Sequence, residues 1–458
     1  MSLSKVFDRF VADSPVSVMF RGLLENVFAA EWLDDLFERH ARQQYQRQLL
    51  FSTLVDLLSL VVAGMRKSVH AAWRVQAEQI GVSVKALYDK LSRVETAVSE
   101  ALVRETTARL LEILQHFPTS RRQVLHGYDA RIVDGNHLAG TDRRLRELRP
   151  FGAAPLPGLA LAILDPDREL ILEAITSEDG YESEYNLIPR VLAWVRRRQL
   201  WFADRGFCCT VFLEGLIDRK AKFIIRQNLS HLRWELIGKR RKLGKTATGV
   251  VYEQPMRVWL SEGRATIVRR ITVELFGQTR DGEKEIHLLT NLPSKVTACR
   301  VAELYPQRWR VETAFQDLAT VLRSEINTLG YPAAALFGFC LALVLYNVLS
   351  VIRTVAATTQ RKQLEDRKVS LYYLADEIAG TARGMEIAIP EAYWMEAFAH
   401  LSSRQMARTL RELAQRIRIQ VFTTNPWTPK RPQPKRKTSR RHPHLSTYRL
   451  LLQRTEPP

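Results

Sequence analysis

Cysteine is scarce. The chain has four in 458 residues, Cys208, Cys209, Cys299 and Cys340, with no CxxC spacing and no matching histidine pair. Structural zinc and a disulfide framework are therefore not expected, and a reducing cytoplasm is the expected compartment. A secretory signal is missing too: "MSLSKVFDRFVADSPVSVMF" holds no apolar core of the required length. The longest unbroken apolar run, residues 333–346, has 14 residues and stops before Asn347. A bilayer requires roughly 20, so this run reads as a buried helix and a membrane partner is not expected. Acids are absent from "KRPQPKRKTSRR" (430–441), which carries seven basic residues. Removing those seven from the net charge of +19 still leaves about +12. The excess positive charge is thus spread over the folded body, and a polyanion partner follows, nucleic acid ahead of membrane.

Glycine and proline are nearly missing from the first 120 residues, which favours helices. "FSTLVDLLSLVVAGM" and "VSEALVRETTARLLEIL" repeat apolar residues at three and four. Between them, one helix should end at Gly81 and Ser83 should cap the next, which presents Lys85, Tyr88, Lys90 and Arg93. Helix, glycine turn and basic helix is the outline of a helix-turn-helix reader, and equally of a plain helical hairpin.

From residue 126 the period changes to two. "YDARIVDGN" reads as a strand ending at Asp134, and "GLALAILD" and "RELILEAIT" as two more. A helix ("YESEYNLIPRVLAWVRRR"), the strand "LWFAD", a second helix and the strand "AKFIIRQ" complete a βββαβαβ order. This predicts a mixed sheet covered by helices. Residues 229–290 alternate as a β-rich insertion. Helical sequence returns at 297–324 and continues through the C-terminal region.

Two strands lead into aspartates, Asp134 and Asp204, where open α/β sheets place ligands. On the following helical stretch, "LYPQRWRVETAF" spaces Tyr305, Arg308 and Glu312 three and four apart. Three carboxylates brought together require a counter-charge, and a hard divalent cation supplies one. Two such ions suit phosphodiester chemistry. Each acid has an ordinary alternative: Asp-Gly as a turn, Asp-Arg-Gly as a helix cap, and Glu312 paired with Arg308 one turn away.

Taken together, these residues resemble the DDE-type bacterial insertion-sequence transposases of the insertion sequence four family. Its mark is Tyr-x2-Arg-x3-Glu-x6-Lys, and Tyr305, Arg308 and Glu312 fill three of the four positions. "IVDGN", "FADRGFC", "EINTLGYPAAALFGFCLALVLYNVL" and "HPHLSTYRLL" are similar to other blocks of the family. The resemblance implies a ribonuclease-H-like α/β core, with a β-rich insertion, a helical N-terminal domain and a helical C-terminal region. The corresponding boundaries are 1–125 for DNA-end binding, 126–228 and 291–355 for the core, 229–290 for the insertion, 356–428 for a dimerising region and 429–458 for the basic tail. It further implies catalytic, metal-binding Asp134, Asp204 and Glu312, and two Mg2+ ions with Mn2+ as a substitute. Tyr305, Arg308 and Arg205 would be supporting DNA contacts, and Lys85, Lys90 and Arg93 contacts of the N-terminal domain. Trp259, ahead of Trp234, is the candidate platform for a flipped base. The signature lysine falls on Ala319, leaving Arg323 as a candidate substitute. The implied activity is metal-dependent cut-and-paste transposition through a hairpin end, by a homodimer on the element's inverted repeats and target DNA, in the nucleoid-bearing bacterial cytoplasm. A catalytically inactive, DNA-binding relative is the alternative that Ala319 raises.

Overall fold

Ten strands among the described residues join in one sheet. The computed structural model describes residues 4–453, apart from 45, 118–122, 142–144, 151–154, 231, 280, 365–366 and 425–444. The basic stretch 430–441 lies outside the described residues. The strands are β1 (Asp129–His137), β2 (Pro155–Leu156), β3 (Leu159–Asp165), β4 (Leu170–Ser177), β5 (Gln199–Ala203) and β6 (Lys222–Arg226). After them come β7 (Trp234–Leu236), β8 (Arg241–Lys245), β9 (Gly249–Trp259), β10 (Ala265–Leu275) and β11 (Glu285–Thr290). The order is β4-β3-β1-β5-β6-β11-β10-β9-β7, with β8 against β9. The short β2 stands apart and pairs with Leu445–Ser446 near the C-terminus.

The first five strands of that order are the ribonuclease-H-like core expected from the sequence. An antiparallel meander (β1, β3, β4) is followed by β5 and β6 running parallel to β1. Side chains on the strands alternate between two faces. Ile132, Leu200, Phe202 and Ile224 join one hydrophobic core, and Val133, Trp201, Ala203, Phe223 and Ile225 the other. The second core is closed by helices Glu184–Leu192 and Thr210–Asp218. The first is larger. It takes in the N-terminal helices, the Trp309–Val321 helix, the long Pro332–Thr359 helix and the C-terminal helices.

Three expectations are refined. β1 does not stop at Asp134; it runs to His137, because its antiparallel pairing with β3 continues to His137↔Leu159. The insertion strands extend the core sheet: β11 pairs with β6 through Leu289↔Ile225. The helical stretch with Tyr305, Arg308 and Glu312 is not one helix: the helix carrying Glu312 begins at Trp309, after a 3₁₀ turn over Tyr305–Arg308.

The Pro332–Thr359 helix is long and apolar enough to cross a bilayer, yet its whole apolar window is buried in the protein. Fully burying each Leu, Val, Ile or Phe side chain contributes about 1.5–3 kcal/mol, so this helix is a principal stabiliser of the first core. Asn347 lies at its centre, fully buried. Its Oδ1 accepts from the Ile171 N–H at 2.8 Å, and its Nδ2 donates to the Ile171 carbonyl at 2.8 Å. β4 is the edge strand of the sheet, so backbone groups on its outer side have no strand partner, and the Asn347 amide satisfies those of Ile171.

Candidate active site

Parallel and antiparallel pairing on β1 end at different places, and the site lies in the difference. β5 pairs with β1 only as far as Ile132↔Phe202, while β3 follows β1 to His137. Beyond Ile132 the β5 side of β1 is therefore open, and Asp134 stands at that opening. Asp204 directly follows the end of β5. The two aspartates thus lie near the same end of the β1–β5 pairing, Asp134 inside β1 and Asp204 just past β5.

The third acid is brought by the Trp309–Val321 helix, whose buried Val311, Ala314 and Leu318 dock on the first core. In the preceding 3₁₀ turn, residues three apart eclipse, so Tyr305 and Arg308 project together. Both are buried. The Arg308 Nη1 donates to Asp134 Oδ2 at 3.1 Å, and its Nη2 lies 2.5 Å from Glu312 Oε1 one α-turn on. The Tyr305 hydroxyl makes a long contact, 3.5 Å, with Asp204 Oδ1. Arg308 and Tyr305 thus connect all three acids. The structure also realises the plain Arg308–Glu312 pairing.

Burial dominates the electrostatics. It pushes the Asp134 carboxyl up to about 7, against the pull of Arg308 and of the Gly135 N–H, while Glu184 and Glu312 push it further. Burial raises the Tyr305 phenol well above its ordinary value and Asp204 adds to this, so the phenol remains a neutral donor. Burial also works against the charge of Arg308, but Tyr305, Asp204, Glu312 and Asp134 together raise its pKa. Its Nε is buried with no hydrogen-bond partner among the described residues.

One acid at this site escaped the sequence reading. Glu184 opens the Glu184–Leu192 helix, and burial first, then Asp204, raises its pKa. A Cβ on Gly135 would stand 2.0 Å from Glu184 Oε1, and one on Gly206 would stand 3.2 Å from Oε2. The signal was the glycine next to Asp134 and the one two residues past Asp204.

The donors are all carboxylate oxygens, the set that suits a hard divalent cation. No group of three acid, His or Cys side chains among the described residues is gathered closely enough to hold a metal. Arg308 accounts for this, since it draws Asp134 and Glu312 to itself. Glu312 is half exposed, while its partner Arg308 is buried. Coordination would need Glu312 to leave that pair, with Arg308 keeping Asp134.

The other residues singled out lie as follows. Arg205 is exposed and 3.6 Å from Glu283. Trp259 ends β9, with the Arg233 guanidinium 4.8 Å above its ring. Trp234 packs against the second core. Arg323 donates to the carbonyls of Arg66 and Lys67 at 3.1 and 3.0 Å, which engages it in the turn after the Phe51–Val62 helix. Ala319, at the signature lysine position, is exposed on the Trp309–Val321 helix. In the N-terminal region, Gly81 ends the Val69–Ile80 helix with φ 65°, and the Ser83 hydroxyl caps Val84–Leu91. Lys85 and Arg93 are exposed there. Lys90 is half-buried with its ammonium 4.7 Å from the Phe37 ring centroid.

Comparison with protein families gives one result: residues 126–348 match the family model described as the transposase DDE domain. The match contains both strand-end aspartates, the insertion and the Tyr305–Glu312 segment. Comparison with curated proteins gives no match. Among solved structures, a piggyBac transposase synaptic complex with hairpin DNA aligns over 88% of this chain and 86% of that one, at 10% identity and a TM-score of 0.40.

Proposed function

We propose that the protein is a transposase that binds the terminal inverted repeats of an insertion sequence and catalyses metal-dependent strand cleavage and transfer, in the manner of the insertion sequence four family. One observation carries the reading: Asp134, Asp204 and Glu312, far apart in the chain, are joined through Arg308 and Tyr305 at one end of the sheet, within the stretch that matches the transposase DDE domain.

Asp134, Asp204 and Glu312 would hold Mg2+, with Mn2+ as a substitute. A divalent cation bound there supplies Lewis-acid charge to a phosphodiester and acidifies water. Arg308 keeps a permanent positive charge among the acids, beside the place where a phosphate would lie. Tyr305, a neutral phenol, donates beside Asp204. Arg205 adds charge at the rim. Trp259, half exposed at a strand end, is the platform against which a base is flipped when a hairpin end forms. Lys85, Lys90 and Arg93 of the N-terminal helical hairpin contact the element's end, and the basic tail adds salt-sensitive affinity for phosphates. Two ends need two such sites, so the working form is a homodimer on DNA in the bacterial cytoplasm, at the nucleoid.

Ala319 favours a second reading, a DNA-binding protein without cleavage. Incubating the full chain and Mg2+ with duplexes carrying the inverted repeats that flank its gene separates the two. Nicks and hairpins on a denaturing gel, lost in Asp134→Asn, Asp204→Asn and Glu312→Gln with binding retained, support the enzyme. Tight binding with intact DNA in every lane would overturn it.

A further inference from the structure

The acids at the sheet end are under-compensated. Arg308 is shared by Asp134 and Glu312, and the carboxylate of Glu184 has no hydrogen bond or ion pair among the described residues. Strand parity brings Glu184 there. Asp134 shares a face with Ile132, toward the helix that carries Glu312, whereas Gly135 shares the opposite face with Val133. That opposite face is covered by the Glu184–Leu192 helix, whose Leu187, Ile188 and Val191 pack with Val133 in the second core. The sheet end is therefore reached by one acid-bearing helix from each side.

The backbone has been cleared to admit this carboxylate. Any side chain at Gly135 would overlap Glu184 Oε1, with the Cβ 2.0 Å away, and the Gly206 Cβ would crowd Oε2 at 3.2 Å. An acid in a first helical turn gains about 0.3–1 kcal/mol from the helix dipole by facing solvent. That role requires no glycine in β1 or in the turn after β5. Here the carboxylate is instead turned inward, between the glycine after the first aspartate and the glycine beyond the second. We propose that Glu184 is a fourth carboxylate of the metal-binding set, contacting the divalent cation together with Asp134 and Asp204. This rests on the metal-dependent reading above.

The experiment titrates the full-length protein with Mn2+ and follows free Mn2+ by its EPR signal, in wild type, Glu184→Gln and Asp134→Asn. Melting of each in EDTA runs alongside. Glutamine keeps the shape and removes the charge. The expected result is Mn2+ binding weakened about tenfold or more in Glu184→Gln, the scale seen when groups that support a metal are removed. Its melting temperature in EDTA should equal or exceed that of the wild type, because one repelling charge has gone. Wild-type affinity in Glu184→Gln alongside lost affinity in Asp134→Asn would overturn the role of Glu184 and leave the site reading intact. Wild-type affinity in both variants, or no Mn2+ binding by the wild type, would overturn the site reading and this inference with it. Lower melting of Glu184→Gln in EDTA would assign Glu184 a structural role and overturn the proposal.

Discussion

Replacing Asn347 by leucine tests how the long core helix is tied to the sheet. The two side chains are close in size, so the change removes polar groups with little change in volume. The amide makes three bonds: Oδ1 with the Ile171 N–H, and Nδ2 with the Ile171 carbonyl and with Thr107 Oγ1, each at 2.8 Å. The Ile171 carbonyl keeps a bond from Thr107 Oγ1 at 3.1 Å, and that hydroxyl also bonds the Val103 carbonyl. The Ile171 N–H has no such reserve. Leaving it buried and unpaired costs about 1–3 kcal/mol, and the two lost Nδ2 bonds about 1 kcal/mol each. Burying leucine methyls returns about 1–2 kcal/mol. The expected net loss is about 2–3 kcal/mol. It should appear as a lower urea midpoint for Asn347→Leu. Hydrogen exchange of peptides spanning 168–174 should accelerate more than that of the other core strands. An unchanged or higher midpoint, with Ile171 still protected, would show that the edge of β4 is satisfied some other way and refute this account.

Glu173 offers a pH test. Its side chain is 2% exposed and 3.3 Å from Arg104. Burial pushes its carboxyl up to about 8, with Arg104 pulling it down only in part. A folded pKa above the unfolded value near 4.3 means a stability contribution present below that value and lost as pH climbs to about 8. From pH 5 to pH 8 the Glu173 contribution to the unfolding free energy should thus fall by an amount on the order of 4 kcal/mol, read from urea titrations as the difference in slope between wild type and Glu173→Gln; parallel curves would refute this. Arg323→Ala should cost about 1–2 kcal/mol of stability through the lost bonds to the Arg66 and Lys67 carbonyls, leaving the salt dependence of DNA binding unchanged. Normal stability with a salt slope reduced by about one would instead make Arg323 a phosphate contact. Lys85→Ala with Arg93→Ala should lower the slope of log K against log salt by about 2, measured by fluorescence anisotropy on terminal-repeat duplex. An unaltered slope would remove the N-terminal hairpin from the DNA interface.

How much of this was legible in the sequence depended on how local the cause was. Gly81 and Ser83 bracket a turn whose φ and cap are set within a few residues, and the reading matched the structure there. The period-two runs became β1, β3, β4, β5 and β6, because alternation is a property of a single strand. Joining the insertion to the core was not legible. The Leu289↔Ile225 pairing links strands 64 residues apart, and alternation identifies a strand without naming its neighbour. The break before the Glu312 helix was not legible either: the spacing of three and four placed Tyr305, Arg308 and Glu312 on one side, but the first two stand in a 3₁₀ turn and the third in an α-helix. Glu184 was hidden for a different reason. An acid just after a serine cap is an ordinary helix start, fully explained by the helix dipole, so nothing in its own neighbourhood marks it. The information sits 49 residues earlier and 22 later, in two glycines that leave the space its carboxylate occupies. A glycine beside a candidate site aspartate is therefore worth reading as a vacated volume, and the residue that fills it as a further candidate member of the site.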